Sequence, residues 1–246
     1  MQAVIDVSMK RNLGLVLARL LGWPRIMFLD DDIYGITGAD VAALAAGLDD
    51  HSVSALIPKK FPDNSVACHA HRLGGGRQDV FASASGMGAR CDRDDLAFFP
   101  NVYNEDWFFF SEEAASRKIA KVGEPRQIEY DPYDDPRRAA QQEFGDLLAE
   151  GLYARLDINE GFRGVDTDYW RDFIERRRAL HERVAEALGQ VAGRELAFRA
   201  GNSIRAAQDQ LGKITPSLCR KFARLWQSDL LNWRLIWPIY LGSIPS

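Results

Sequence analysis

Short apolar runs and amphipathic stretches alternate in the first half of the chain. Leucines recur at helical spacing over Lys10–Leu21, which predicts a helix there. The apolar run Ile26–Leu29 follows at once and predicts a short buried strand. A second helix over Asp40–Leu48 and a second strand over residues 53–58 repeat this order. Helix–strand–helix–strand with short connections is typical of an α/β sheet.

The pattern becomes less regular after the second strand. Residues 59–80 are polar and contain three consecutive glycines, which predicts a surface loop. "VFASASGMGAR", residues 80–90, predicts a strand, and Gly86 and Gly88 inside it indicate a bulge or a close approach by ligand or backbone. "KIAKVG" and "RQIEY" predict two more short strands at 118–123 and 126–130.

The chain becomes helical after residue 134. Asp135 and Pro136 suit the cap and the first position of a helix, and an amphipathic pattern predicts a long helix over Thr167–Val191. Pro216 opens a last helix that runs through Leu230. We therefore expect an α/β region over residues 1–134 and a helical extension over 135–246, packed together as one unit.

Composition and charge argue against several classes of protein. The 246 residues are 46% hydrophobic and carry a net charge of −4, which gives the chain no general attraction for nucleic acid. Three widely spaced cysteines fit neither a disulfide framework nor a zinc site. With no signal peptide and no span of about 20 apolar residues, a cytoplasmic location is expected. Aromatic residues near the end of the chain close either a core or a subunit interface, which leaves a homo-oligomer open.

Three consecutive carboxylates, Asp30, Asp31 and Asp32, follow the strand Ile26–Leu29. If the backbone stays extended, Asp30 and Asp32 project to one side and Asp31 to the other. Two carboxylates at the carboxyl end of a buried strand form an oxygen-rich site of the kind that Mg²⁺ or Mn²⁺ prefers.

The acidic triplet is open to four interpretations. A solvated acidic turn needs no ligand at all. A calcium loop of the EF-hand kind is excluded, because Tyr34 and Val41 occupy the fifth and twelfth positions, where oxygen ligands are needed. A phosphatase of the haloacid dehalogenase type also places D-x-D after an apolar strand, but Tyr34 stands where Thr or Val is expected. A metal-dependent nucleotide-sugar site is the fourth interpretation.

The order of three segments carries a family resemblance. "KRNLGLVLARLLGWPRIMFLDDDI", Lys10–Ile33, resembles the helix and strand that lead into the D-x-D motif of GT-A-fold glycosyltransferases of the family 2 type. "FASASGMGAR", residues 81–90, resembles that family's small-residue segment beneath the sugar, and "FPNVYNEDWFFF", residues 99–110, its acceptor-side Glu-Asp motif. The resemblance covers about Lys10–Val122 and implies a Rossmann-like mixed sheet.

This resemblance also implies roles on the donor side. Asp30 and Asp32 would hold Mg²⁺ or Mn²⁺ on the diphosphate of a nucleotide-sugar donor. Asp31 would touch the ribose or face away. Arg11 and Asn12, at the start of the first helix, would lie near the nucleotide, and ordinary helix-start chemistry accounts for them equally well.

The remaining implied roles concern the sugar and the acceptor. Gly86 would lie beneath the donor sugar. Asp106, helped by Glu105, would be the base that takes the proton from an acceptor hydroxyl, and an aromatic surround from Trp107 and Phe108 would raise its pKa. Acids in a first helical turn are also favoured by the helix dipole alone, without any catalytic role.

Histidines and further acids give weaker candidates. His69 and His71 could bind metal if they share a strand face, and surface positions account for them more simply. His181 lies inside the long predicted helix, on its more polar side. Asp131 and Asp134 could supply an oxygen atom as a third metal ligand, and turn formation is their expected role.

The family fold begins with strand–helix units, and the resemblance in this sequence starts after them. Residues upstream of this sequence, a wrongly assigned start and a degenerate form of the fold are the three explanations. Only Met1–Ser8 precede the first helix, and "AVIDV" supplies one strand at most, so an N-terminally truncated sheet is predicted. A truncated sheet exposes an edge strand, which favours association with a partner. A non-catalytic glycosyltransferase-like interaction module is therefore the alternative hypothesis.

Overall fold

The computed structural model of the chain describes residues 6–57, 65–77, 82–162 and 164–241, which form two compact units. The α/β unit contains the described parts of 2–63, 80–129 and 226–246. The helical unit contains those of 64–79 and 130–225. The described residues 65–77 therefore group with the long helices and not with the sheet.

A four-stranded sheet forms the centre of the α/β unit. Its strands are β1 (Arg25–Leu29), β3 (Val53–Leu56), β4 (Gly86–Arg90) and β5 (Ile119–Val122), in the spatial order β1-β4-β3-β5. Strand β4 is antiparallel to both of its neighbours, and β3 is parallel to β5. The sheet is therefore mixed, as predicted, and the α/β class is confirmed.

A small ribbon lies beyond the end of β1. Strand β2 (Ile33–Tyr34) pairs antiparallel with β6 (Arg126–Gln127), so the strand predicted over 126–130 is reduced to two residues. The strand predicted over 80–90 begins only at Gly86 in the part that is described. In the main sheet, Leu29 stands opposite Gly86, which aligns the start of β4 with the end of β1.

The α/β unit also contains two long helices, α1 (Asp6–Leu20) and α2 (Gly38–Asp50), and two short ones, α4 (Glu105–Phe109) and α5 (Ser111–Ala115). Thr37 and Asp40 cap α2 reciprocally. Helix α1 starts earlier than predicted, because Asp6 and Val7 lie in the helix and not in a strand. The rest of the proposed "AVIDV" strand lies outside the described residues.

Four complete helices belong to the helical unit: α3 (Val66–Leu73), α6 (Pro136–Leu156), α7 (Thr167–Leu188) and α8 (Arg194–Leu211). A further helix, α9 (Pro216–Ile236), spans the boundary between the two units at residue 225. The Asp135 cap is confirmed, since its Oδ1 accepts the Arg137 N–H at 2.9 Å. Two expectations fail: α3 occupies part of the predicted surface loop, and α8 was not predicted.

A buried charge network links α6 and α7. We call it the Arg177 network: Arg177 contacts Glu143 at 2.7 Å, Asp146 at 2.9 Å and Glu150 at 2.7 Å, and His181 lies 3.4 Å from Glu143. Arg177, Glu143 and His181 are almost completely buried. His181, which the sequence pattern places on a polar helix side, is therefore an interior residue.

Three tryptophans near the end of the chain pack inside the α/β unit. Trp226 contacts Phe108 edge-to-face at 5.3 Å, and Trp237 stacks on Trp233 at 5.2 Å. Trp237 is buried and donates its indole N–H to the Arg93 carbonyl at 2.8 Å. These residues close a core. Across the described residues, no helix combines the length and apolar character that a bilayer span needs.

Candidate functional site

A buried guanidinium collects the acids at the end of β1. Arg11, in the second turn of α1, donates from Nη1 to Glu105 Oε1 at 2.5 Å and from Nη2 to Asp30 Oδ1 at 2.9 Å. Asp30 Oδ2 lies 3.2 Å from the same Nη2, and the Ala84 carbonyl accepts from it at 3.3 Å. Residues that are far apart in sequence thus meet at one place.

Backbone amides fix Asp106 beside this group. Its Oδ2 accepts the Ala84 N–H at 2.8 Å, and its Oδ1 accepts the Trp107 N–H at 2.9 Å. Asn104 precedes the helix with a φ of 63°, a left-handed conformation that asparagine tolerates. This turn starts α4 so that Glu105 and Asp106, its first two residues, are both buried.

Burial raises the proton affinity of these acids. It raises the pKa of Glu105 to about 8, with the charge of Asp106 adding to the effect and Arg11 opposing it. The pKa of Asp106 is also raised by burial, against the charge of Arg11 and the two amide hydrogen bonds. Burial likewise raises the pKa of the more exposed Asp30, while Arg11 lowers it. The site therefore holds carboxylates that can exchange a proton nearer to neutral pH than free acids do.

Phe99 is the aromatic neighbour of the guanidinium. The Arg11 guanidinium lies 5.6 Å from the centre of its ring, which stacks on Phe109 at 4.1 Å. Phe28 of β1 completes the group with an edge-to-face contact of 5.6 Å to Phe99. The sequence analysis placed Trp107 and Phe108 around Asp106 and gave Phe99 no role, although Phe99 begins the same motif.

The acidic triplet does not stay extended. Strand β1 ends at Leu29, and the Ile33 N–H returns to the Asp30 carbonyl at 3.3 Å, which closes a turn. Asp30 therefore faces Arg11, Asp31 is exposed, and Asp32 Oδ2 accepts from Gln127 Nε2 at 2.9 Å. The extended backbone on which a shared side for Asp30 and Asp32 depended is therefore absent from this segment.

Oxygen atoms around Asp32 suit a cation better than those of Asp30. Both oxygens of Asp30 are engaged by Arg11. Asp32 Oδ1 has no hydrogen-bond partner in the described chain, and the buried Oε1 of the neighbouring Gln127 also lacks one. Over the described ranges, no three His, Cys, Asp or Glu side chains are grouped to hold a metal ion. Magnesium is commonly bound through one or two carboxylates plus substrate phosphates, and of the two D-x-D acids only Asp32 keeps an oxygen that Arg11 does not engage.

Two further donor-side candidates have structural tasks. The amide of Asn12 donates to the Phe99 carbonyl and accepts the Phe99 N–H, both at 2.8 Å, so it clamps the backbone beside the site. A Cβ on Gly86 would lie 3.0 Å from Leu56 Cδ1, so this glycine provides room for a core side chain. Both residues support the site through the fold.

The remaining candidates lie in the helical unit. His69 and His71 are on α3, and burial lowers the pKa of His69 to about 4. Asp131 forms an ion pair with Arg199 and accepts the Tyr133 N–H at 2.9 Å, and Asp134 pairs with Arg138. Turn formation was the expected role of both acids, and the contact between the Tyr133 N–H and Asp131 agrees with it.

Comparison with known proteins gives no function for this site. No family model, curated protein or solved structure matches the chain. The functional proposal therefore depends on the side chains around Arg11 and on the order of the motifs that supply them.

Proposed function

We propose that this chain carries the catalytic site of a GT-A-type glycosyltransferase, which moves a sugar from a nucleoside diphosphate sugar to an acceptor hydroxyl. The observation that supports it most is the convergence of Asp30, Glu105 and Asp106 around the buried Arg11. The first acid belongs to the D-x-D motif and the other two to the Glu-Asp motif. The mixed sheet with D-x-D at the end of a strand agrees with this fold.

Asp106 is the proposed proton acceptor. The acceptor oxygen attacks the anomeric carbon, a new carbon–oxygen bond forms, and the bond from that carbon to the diphosphate oxygen breaks. The hydroxyl proton passes to the Asp106 carboxylate, which two backbone amides hold in place. Its raised pKa improves its proton affinity over that of a free aspartate. Direct displacement of this kind inverts the anomeric centre.

Arg11 and Asp32 have separate tasks in this proposal. Arg11 pairs with the buried Glu105 and with the partly exposed Asp30, so that the two acids keep one geometry. Asp32, with the amide oxygen of Gln127, would hold Mg²⁺ or Mn²⁺. A bound divalent cation supplies charge stabilisation for the departing diphosphate. Asp31 is exposed and lies outside both groups.

A donor scan tests the proposal. The chain is incubated with a panel of nucleotide sugars and Mn²⁺, with and without chelator, and release of nucleoside diphosphate is measured. We expect release with at least one donor, and Asp106→Asn should lower kcat by about 100-fold or more. Asp32→Asn should weaken the response to added metal.

Asp31→Asn is the matched control, because it changes an exposed acid of the same triplet. It should leave turnover and metal response close to those of the parent chain. Thermal unfolding of each variant separates loss of chemistry from loss of fold. A folded Asp106→Asn variant with parental turnover would overturn the assignment of the base. A metal response in Asp32→Asn equal to that of the parent chain would overturn the assignment of the metal ligand.

A non-catalytic module is the second candidate. One observation favours it: Arg11 already engages both oxygens of Asp30, so that acid needs no ligand to stay in place. In that case no donor yields nucleoside diphosphate, with or without metal. A phosphatase would instead release phosphate from a generic ester, so assays of both products distinguish the three classes.

A further inference from the structure

An open surface depression of about 160 Å³ in the helical unit is lined by cationic and hydroxyl side chains, and those that α9 contributes are exposed. Helix α9 contributes Ser217, Arg220, Lys221 and Arg224, and the start of α7 contributes Thr167. The four α9 residues are spaced i, i+3, i+4 and i+7, so they share one face of the helix. We call this group the basic pocket.

The cations of the basic pocket have no ion-pair partner among the described residues. Two arginines elsewhere in the helical unit are paired, Arg177 with Glu143 and Arg199 with Asp131. Unlike these two arginines, the cations in the first turns of α9 have no carboxylate partner in the described part of the chain.

The acid that interacts with Arg220 is already engaged. Asp166, the cap of α7, accepts the N–H groups of Asp168 at 3.0 Å and Tyr169 at 2.9 Å. The charge of Arg220 makes the smallest of the contributions that lower the pKa of Asp166. This tethered carboxylate therefore compensates the three cations on α9 only weakly.

Such a stripe repels itself unless an anion joins it. Like charges at i, i+4 spacing destabilise a helix, as Arg220 and Arg224 do here. The repulsion is local, because the whole chain carries a net charge of −4. A compact anion in the pocket would remove it, whereas a long anionic polymer would meet the acidic remainder of the chain.

We propose that the basic pocket binds a phosphate group carried by a small ligand. Arginine guanidinium groups match phosphate oxygens with two parallel hydrogen bonds, and lysine adds a point charge. Thr167 of α7 and Ser217 of α9 contribute hydroxyl donors from the two helices. This site lies in the helical unit and is independent of the carboxylate site around Arg11.

Titration of the full chain with inorganic phosphate and with glycerol 3-phosphate, at constant ionic strength, tests this site. Calorimetry should show saturable binding at one site, and Arg220→Gln combined with Arg224→Gln should weaken it by about tenfold or more. Arg171→Gln combined with Arg178→Gln is the matched control, since both are exposed arginines of α7 with their own acidic partners. The control should bind as the parent chain does.

A vesicle arm identifies the source of the phosphate. The protein is co-sedimented with vesicles that contain phosphatidic acid and, for comparison, with vesicles of phosphatidylcholine alone. If the protein binds the phosphatidic acid vesicles and the Arg220 and Arg224 double variant does not, the phosphate belongs to a lipid headgroup. This result also supports the site. Binding that is equal in the double variant and the parent, or absent with all three probes, overturns it. Asp106→Asn should bind phosphate normally, so failure of the catalytic proposal and failure of this one are distinguishable.

Discussion

Among single residues, Arg11 determines the character of the acidic site. Its side chain is about as buried as that of Glu105, and its guanidinium reaches both Glu105 and Asp30. A buried ion pair of this kind costs desolvation energy, and its loss leaves a charge without compensation. The arrangement is therefore better explained by a need to hold acids together than by a gain in stability.

The ionisation of Glu105 should make stability depend on pH. Burial raises its pKa in the folded chain to about 8, above the ordinary value of 4.5, so its contribution to stability is complete below about pH 4.5. That contribution declines as pH rises and is lost above pH 8, with a slope of at most about 1.4 kcal/mol per pH unit.

Glu105→Gln should remove this slope. Urea unfolding of the parent chain and the variant, at several pH values from about 5 to 9, gives the difference in unfolding free energy directly. The variant should gain stability relative to the parent as pH rises. A constant difference across the range would mean that Glu105 ionises normally in the folded chain.

Between secondary-structure elements, the Arg177 network joins α6 to α7. Arg177 and Arg178 are adjacent on α7, but Arg177 is buried among three acids and Arg178 forms an exposed pair with Glu175. Arg177→Gln should lower the unfolding free energy by about 3 kcal/mol or more, because it leaves buried carboxylates unpaired. Arg178→Gln should change it by less than about 1 kcal/mol.

Chemical denaturation of the two variants measures this difference. Equal losses would contradict the buried position of Arg177. The comparison is informative because sequence alone treats "RRR" at 176–178 as one solvated basic run, whereas one of its members is an interior residue.

Which elements could be predicted depends on how strongly their patterns repeat. The leucine-rich α1 and the Asp135–Pro136 start of α6 were clear in sequence. Helix α8 was missed because its buried positions are mostly small residues, such as Ala200 and Ala207, which give a weak apolar signal. Helix α3 was missed because it is only eight residues long and contains two histidines.

The candidate site was predictable in part for a similar reason. Its acids stand in local motifs, so sequence could name Asp30, Glu105 and Asp106. The turn after β1 and the pairing of Arg11 with Glu105, 94 positions away, are results of tertiary packing and leave no local pattern. Sequence therefore paired Asp32 with Asp30, whereas its hydrogen-bond partner in the structure is Gln127.

At the scale of the α/β unit, helix α1 carries an exposed apolar stripe beside the outer strand β1. Met9, Leu13 and Leu17 follow one another at intervals of four and are 68%, 57% and 45% exposed. The helix lies against β1, since a Cβ on Gly14 would be 3.2 Å from the Ile26 side chain. Among the described strands, β1 is the outermost of its sheet. Apolar stripes and open edges both favour association.

We expect the chain to self-associate through this stripe at high concentration. Leu13→Glu combined with Leu17→Glu should shift the protein toward the monomer in sedimentation velocity experiments. Phe198→Glu is the control, because it places the same charge on another exposed apolar residue, which is 65% exposed on α8. A parent chain that stays monomeric at every concentration would contradict the expectation.

One short piece of main chain connects the acid to the guanidinium. Ala84 gives its N–H to Asp106 and receives a hydrogen bond from Arg11 on its carbonyl. A peptide shift of about an ångström at this alanine would lengthen both contacts together, because hydrogen bonds weaken over that distance. Any molecule that presses on residues 82–85 would thereby change the protonation of Asp106 and the orientation of Arg11 in a single movement.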